Sequence, residues 1–313
     1  MEGGALSAEG LVKDFGGLRA LDGLTLSVSR GEIYGLVGPD GAGKTTALRI
    51  LASLMEPTAG RAAVNGFDVV REEGRVKESI GYMSQRFGLY PDLTVTENLR
   101  FYADIYGVPR AEREESTDRL LKASRLDPFG DRRAGNLSGG MKQKLALSCA
   151  IIHKPSVLLL DEPTNGVDPV SRRDFWRILH ALPRQGVAIL VATSYLDEAE
   201  RCGRVGLLNK GRLLAEGTPS SIKGMFPGTL LEVTLADARR AARLFRKELV
   251  DASVDLYGGR VRVGTREPEG TRGRVTELCR AEGIDLIRIE AVTPSLEDAF
   301  LALVASASEG VAS

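Results

Sequence analysis

The sequence predicts an α/β protein of two domains. A larger domain, residues 1–226, is wound around a buried parallel sheet; a small ferredoxin-like α+β domain, residues 227–306, follows, with a flexible tail at 307–313. Three observations predict this. The runs IYGLVG (33–38), VLLLD (157–161) and VAILVAT (187–193) are almost wholly apolar, as strands covered on both faces are. The first runs straight into a glycine-rich turn and then a helical pattern, the strand–loop–helix order of an open parallel sheet. Near Phe226-Pro227-Gly228 the composition changes, and the order beyond it is strand–helix–strand–strand–helix–strand. At 313 residues the chain also exceeds what one compact core commonly takes.

The elements follow in order. Residues 5–37 alternate apolar and polar positions between Gly and Asp turns and read as short strands. TTALRILASLM, after the glycine-rich turn, has helical spacing. Residues 61–85 return to strand character, ending in SIGYMSQ. From about Thr94 to Ile152 the pattern is helical, with apolar stripes in TVTENLRFYADIYG and SGGMKQKLALSCAII. VLLLD is a buried strand. SRRDFWRILHALPRQG is an amphipathic helix with a Gly stop, VAILVAT a further buried strand, and YLDEAERCG a helix. In VGLLNKGRLLAEG a Lys-Gly turn joins two short strands. In the smaller domain TLLEVTL, ASVDLYG, RVRVGT and IDLIRIEA are strands. ADARRAARLFRKEL and EGTRGRVTELCRAEG are helices, and a last helix starts at Ser295.

Composition narrows the function. Lys plus Arg and Asp plus Glu are equal at 42 each, so bulk charge gives no footprint for nucleic acid or acidic lipid. Cys149, Cys202 and Cys279 show no CxxC or ligand spacing, which points to packing residues in a reducing compartment rather than disulfides or zinc. His153 and His180 read as structural. MEGGALSAEG lacks the basic start and apolar core of a signal peptide. Apolar runs such as VLLL fall far short of the roughly 20 residues that span a bilayer. The chain is expected to be soluble by itself, with any membrane spans supplied by a partner.

GPDGAGKTT carries the chemistry. Gly38, Pro39, Asp40, Gly41, Ala42, Gly43, Lys44, Thr45 and Thr46 fit G-x-x-x-x-G-K-[ST] between a buried strand and a helix. Glycines let the backbone curl so that several N–H groups face phosphate oxygens, and the following helix offers its positive end. Lys44 is placed for the β and γ phosphates of a nucleotide, and Thr45 offers a hydroxyl to Mg²⁺. At the end of VLLLDE, Asp161 is a candidate Mg²⁺ ligand and Glu162, one residue on, a base that polarises the attacking water.

With these residues in hand, LSGGMKQ (137–143) resembles the signature of the ABC transporter ATP-binding subunit. The resemblance covers residues 5 to about 226. It implies a P-loop ABC nucleotide-binding domain with a RecA-like core, a helical subdomain and an antiparallel β subdomain. It also implies that Ser138, Gly139 and Gly140 complete the site of a second subunit, a homodimer or heterodimer partner, with two ATPs sandwiched head to tail. Gln85 matches the glutamine that touches Mg²⁺ or the water and links to the membrane partner. Phe15 matches the aromatic that stacks on adenine, and Asp168 the D-loop. TPSLEDAF (293–300) looks like the tail of ABC-2-type exporter ATPases, the drug and antibiotic export class.

Two positions depart from that pattern. Asp40 stands where asparagine is commonest. Ser194, in VATSYLDEAE, stands where the family has a histidine that bonds the γ-phosphate and orients the water. The side chain is too short to reach the same place and cannot carry positive charge. Losing one such donor costs about 10²–10³-fold in turnover. The resemblance implies an ATPase that powers efflux of a drug-like or lipid-like substrate through a separate transmembrane permease, held on the cytoplasmic face of the cell membrane. The alternative is a subunit that binds ATP, hydrolyses it weakly and works in a mixed dimer. Nucleic-acid-directed members are set aside, because zinc modules, long coiled coils and a second cassette are not seen in the sequence.

Overall fold

The computed structural model describes residues 4–85 and 88–309; of the expected tail at 307–313, residues 310–313 lie outside it. The chain forms two compact units, Met1–Thr218 and Pro219–Ser313. The sequence places the break after 226. The difference is the helix Pro219–Lys223, whose single buried residue, Ile222, leaves no periodicity to read.

The first unit opens with β1 (Gly4–Phe15) and β2 (Leu18–Ser29), an antiparallel hairpin whose strands are 12 residues each, longer than expected. Register shifts between Ala8 and Val12 bend β1, and that irregularity breaks the clean alternation along which one long strand could be read. β3 (Ile33–Val37) leads into α1 (Lys44–Leu51), followed by β4 (Ala59–Val64) and β5 (Phe67–Asp68). Residues 73–79, read as strand from the sequence, form the helix α2 (Glu73–Ser79). Only Val76 is buried in it, so no apolar stripe announces it. β6 (Ile80–Met83) follows.

A helical layer comes next: α3 (Val95–Ile105), α4 (Arg110–Ser124) and α5 (Gly139–Ile151). α3 starts at a capping box, Thr94 with Glu97, which satisfies two orphan donors reciprocally. The chain then returns through β7 (Val157–Asp161), α6 (Pro169–Leu179), β8 (Ala188–Thr193), α7 (Leu196–Ala199), β9 (Arg204–Asn209) and β10 (Arg212–Gly217).

These strands make two sheets. One is antiparallel, in the order β2-β1-β4-β5. The other has six strands in the order β10-β9-β3-β8-β7-β6, parallel except for β10. β3, β7 and β8 are buried at every residue. A single core joins the two sheets through α1: Leu24, Tyr34, Leu48, Ile50 and Leu190 belong to it. The parallel strands all point one way, so their carboxyl ends at Val37, Met83, Asp161 and Thr193 reach one edge.

The second unit contains α8 (Pro219–Lys223), β11 (Thr229–Leu235), α9 (Ala238–Glu248), β12 (Ser253–Tyr257), β13 (Arg260–Thr265), α10 (Pro268–Ala281), β14 (Leu286–Val292) and α11 (Leu296–Glu309). The antiparallel order β12-β13-β11-β14, with two crossing helices, is the ferredoxin-like arrangement. Phe245, Val233, Val261 and Val275 centre its own core. In TPSLEDAF, Asp298 accepts from Ser295 N–H and Oγ at 2.8 and 2.6 Å and pairs with Arg262 at 2.8 Å. Arg262 in turn reaches the buried Glu232. The motif caps α11 and ties it to the sheet.

Candidate active site

The residues GPDGAGKTT leave β3 at Val37 and become α1 at Lys44. The loop curls at Gly41 and Gly43, with φ of 78° and 109°. A Cβ at Gly43 would meet the Ala20 carbonyl at 2.4 Å, so only glycine lets β2 pass this close. A Cβ at Gly41 would meet nothing within 4 Å, so the loop's tip is open. Among the described residues no side chain caps α1, and a helix start of this kind can offer its first N–H groups to an anion. Pro39, Asp40 and Gly41 are exposed. Ala42 is buried, its N–H donating to Pro39 O and its carbonyl accepting from Gly211 N–H. Thr46 lies in the first turn of α1.

Lys44 is buried. Its ammonium donates to the carbonyls of Gly38 at 2.7 Å and Pro39 at 3.1 Å and forms an ion pair with Glu162 at 3.1 Å. Both partners of the pair are only 5% exposed, so removing either would strand a buried charge. Thr45 Oγ1 donates to Asp161 Oδ1 at 2.9 Å. Burial is the main cause that raises the Asp161 carboxyl above the usual range, while the Thr45 bond opposes it. Thr45 and Asp161 thus stand together as hard oxygen donors. Among the described residues no cluster of three or more His, Cys, Asp and Glu side chains forms a cage for a metal. Few protein oxygens, with the rest left to phosphates and water, is how Mg²⁺ is usually held.

Glu162 has φ of 48°, in the left-handed region unusual for its residue type. Strain of this kind costs roughly 1–3 kcal/mol and collects at functional sites. A backbone bond from Glu162 N–H to Ala192 O at 2.8 Å ties the residue to β8. Its Oε2 accepts from Ser194 N–H at 3.1 Å and Ser194 Oγ at 3.3 Å. The serine, read from the sequence as a donor too short for a γ-phosphate, is a direct neighbour of the base.

The other candidates divide. Gln85 follows β6, which pairs with β7 through Met83 and Leu160, so it leaves the sheet at the edge that carries Asp161. Its side chain is exposed. Phe15, at the tip of the first hairpin, is 43% exposed, with the Lys13 ammonium 5.2 Å from its ring centroid. Ser138 caps α5, its hydroxyl accepting from Met141 N–H at 3.3 Å. Gly139 is open, whereas a Cβ at Gly140 would strike Ser171 at 2.3 Å. The nearest neighbours of Gly140 are therefore on α6 and its cap, not on the phosphate loop. Asp168 caps α6, accepting from the N–H groups of Val170 and Ser171 at 3.1 and 2.9 Å; the Ser171 bonds hold its carboxyl below the usual range.

Glu198 has no role assigned by any motif of the sequence. It is fully buried, takes a hydrogen bond from Thr164 Oγ1, and lies 3.9 Å from Arg172 Nε. It joins the segment after Glu162 to the segment after Ser194. Burial pushes its carboxyl up to about 7. Its signals in the sequence are the acidic helix start at 196–200 and its place in the family pattern around Ser194. His153 stacks on Tyr106 at 3.8 Å and bonds Ile80 O at 3.0 Å, a packing role.

A phosphate loop alone leaves the class open among nucleotide-hydrolysing folds. The helical layer that presents Ser138 at the start of α5, and the antiparallel sheet that shares a core with the parallel one, narrow it to the ATP-binding cassettes. The family model described as ABC transporter matches residues 21–165. The chain is 43% identical over 311 residues to the probable multidrug ABC transporter ATP-binding protein YbhF of Escherichia coli (strain K12). That match covers 98% of this chain and 53% of the relative, so this chain spans about half of that protein's length. It is 36% identical to the daunorubicin resistance ATP-binding protein DrrA2 of Streptomyces coeruleorubidus, covering 99% and 98% of the two chains. A dimeric ATP-binding cassette in a post-hydrolysis state bound to ADP and Pi superposes with a TM-score of 0.62 at 26% identity, covering 68% of this chain and 98% of that one. The chain belongs to the ABC transporter family, among its ATP-binding subunits.

Proposed function

We propose that this chain hydrolyses Mg·ATP to power an ABC-2-type exporter of drug-like or lipid-like molecules, through a separate transmembrane permease. Among the described residues no helix is long and apolar enough to cross a membrane; in this reading the chain sits peripherally on the inner face, beside the permease. The names of the drug-resistance relatives support the export class. The dimeric cassette bound to ADP and Pi supports a dimer; in the sandwich we propose, Ser138, Gly139 and Gly140 of one subunit face the nucleotide of the other. Adenine would stack on Phe15, and Asp168 would lie at the dimer seam.

The observation that carries the reading is the convergence of Lys44, Thr45, Asp161 and Glu162 on one loop. Lys44 would exchange the carbonyls of Gly38 and Pro39 for phosphate oxygens, leaving the Glu162 carboxylate free to take a proton from water. Thr45 and Asp161, with Gln85, would hold Mg²⁺, which when bound neutralises phosphate charge. Ser194 keeps Glu162 oriented through its N–H and hydroxyl. The test is phosphate release by the purified chain. It should depend on Mg²⁺ and vanish in Glu162→Gln; equal rates for the two proteins overturn the reading.

Ser194 favours a second reading, weak hydrolysis within a mixed dimer. Ser194→His decides between them. A gain of at least tenfold in kcat marks the serine as a deficit, and an unchanged or lower rate marks it as compensated by its bond to Glu162.

A further inference from the structure

A cavity of about 670 Å³ opens at the edge of the parallel sheet opposite the phosphate loop. It lies where β7 and β8 begin and where α4, α5 and α6 end. Its volume is within the range of about 300–1,000 Å³ typical of small-molecule sites. Leu120, Ile151, Ile178 and Leu182 supply an apolar floor. Three of these, Leu120, Ile151 and Leu182, are core residues that turn one flank to the cavity. Arg30, Arg119, Lys154 and Arg177 stand around it, and no Asp or Glu is among its lining residues.

The four cations are not equivalent. Lys154 pairs with Glu112 at 3.1 Å, and Arg177 lies 3.9 Å from Asp174. These two also sit where α5 and α6 end and complement the negative ends of those helices. Among the described residues Arg30 has only a 3.5 Å contact with the Asn65 amide oxygen. Arg119 has no acidic partner among the described residues, and its place in the middle of α4 leaves no helix end for it to answer. Arg30 and Arg119 are exposed at the rim, so both guanidiniums can meet a ligand that rests on the apolar floor. Guanidinium is the cation best matched to a carboxylate or phosphate, which it grips with two parallel bonds.

We propose that this cavity binds a free amphipathic anion, one carboxylate or phosphate head on an apolar tail, with the head between Arg30 and Arg119 and the tail on the Leu120–Ile178 floor. The site is separate from the nucleotide loop, so it does not depend on the ATPase reading.

Isothermal titration of the full chain without nucleotide tests it, using decanoate and decyl phosphate as probes. Decyl maltoside and decyltrimethylammonium serve as neutral and cationic controls, and phosphatidylglycerol vesicles as a lipid-surface control. Both anions should bind at least tenfold more tightly than decyl maltoside and decyltrimethylammonium, and vesicles should not bind. Arg119→Glu should weaken the anions at least tenfold. Ala181→Trp, at an exposed position on the cavity wall, should block them while leaving binding of a fluorescent ATP analogue unchanged. Equal binding of anionic and neutral tails, binding to vesicles alone, or anion binding that survives both substitutions overturns the proposal.

Discussion

Glu198 shows how a single buried carboxylate can make the site sensitive to pH. Thr164, Thr193, Arg172, Trp176 and Asp197 surround it; Thr193, Arg172 and Trp176 favour its charged form, and Asp197 opposes it. Desolvation outweighs them and lifts its carboxyl from the usual 4.5 to about 7. The folded chain therefore holds more protons than the unfolded chain between those values. Stability from this group is full below 4.5 and is lost as pH rises through 7, on the order of 3 kcal/mol across the window. Glu198→Gln keeps the shape without titrating. Denaturant unfolding at pH 5 and pH 8 should show wild type losing more stability on the way up than the variant does; parallel losses would remove Glu198 as the cause. Its buried role was not legible in the sequence, because Thr164, Arg172, Trp176 and Thr193 reach it only through the fold. The same holds for Ser194 and Glu162, which are 32 positions apart yet in contact. Lys44, Thr45 and Asp161 were legible, because a phosphate loop and an acidic strand end are local patterns with one mechanical purpose.

At the scale of elements, the fold was readable wherever burial was complete or strictly periodic. β3, β7 and β8 announced themselves as unbroken apolar runs, and α9 through Ala238, Ala241, Ala242 and Phe245 at helical spacing. α2 and α8 escaped because each buries one residue. The N-terminus of α5 carries a further expectation. Gly140 is packed against Ser171, so Gly140→Ala forces α5 away from α6 and should destabilise the fold. Gly139 is exposed, in helical backbone and with open space around it. Gly139→Ala should leave stability within about 0.5 kcal/mol of wild type or slightly raise it. If Gly139 faces a second subunit's nucleotide, the same substitution should still cut kcat at least tenfold and weaken ATP-dependent dimerisation seen by light scattering. Unchanged turnover with unchanged stability would mean that no phosphate approaches this turn.

At the scale of the whole molecule, the two units have separate cores, one centred on Tyr34, Leu48 and Leu190 and the other on Phe245, Val233 and Val261. Every candidate nucleotide contact, from Phe15 to Ser194, lies in the first. A ligand stabilises only the state it binds, by about 2.7 kcal/mol when present at one hundred times its Kd. If each core melts as its own cooperative unit, calorimetry should resolve two transitions. A non-hydrolysable Mg·ATP analogue should then raise only one of them. Lys44→Ala, which removes the phosphate-facing ammonium, should abolish that shift and leave the second transition where it was. Variants in the second core, such as Phe245→Ala, should lower the other transition by removing a large buried ring, a loss of about 3–5 kcal/mol. One transition that moves as a whole with the analogue would instead mean that the two cores unfold together. The second unit would then add to the stability of the nucleotide site, which would give the Asp298–Arg262–Glu232 ties a consequence for ATP binding.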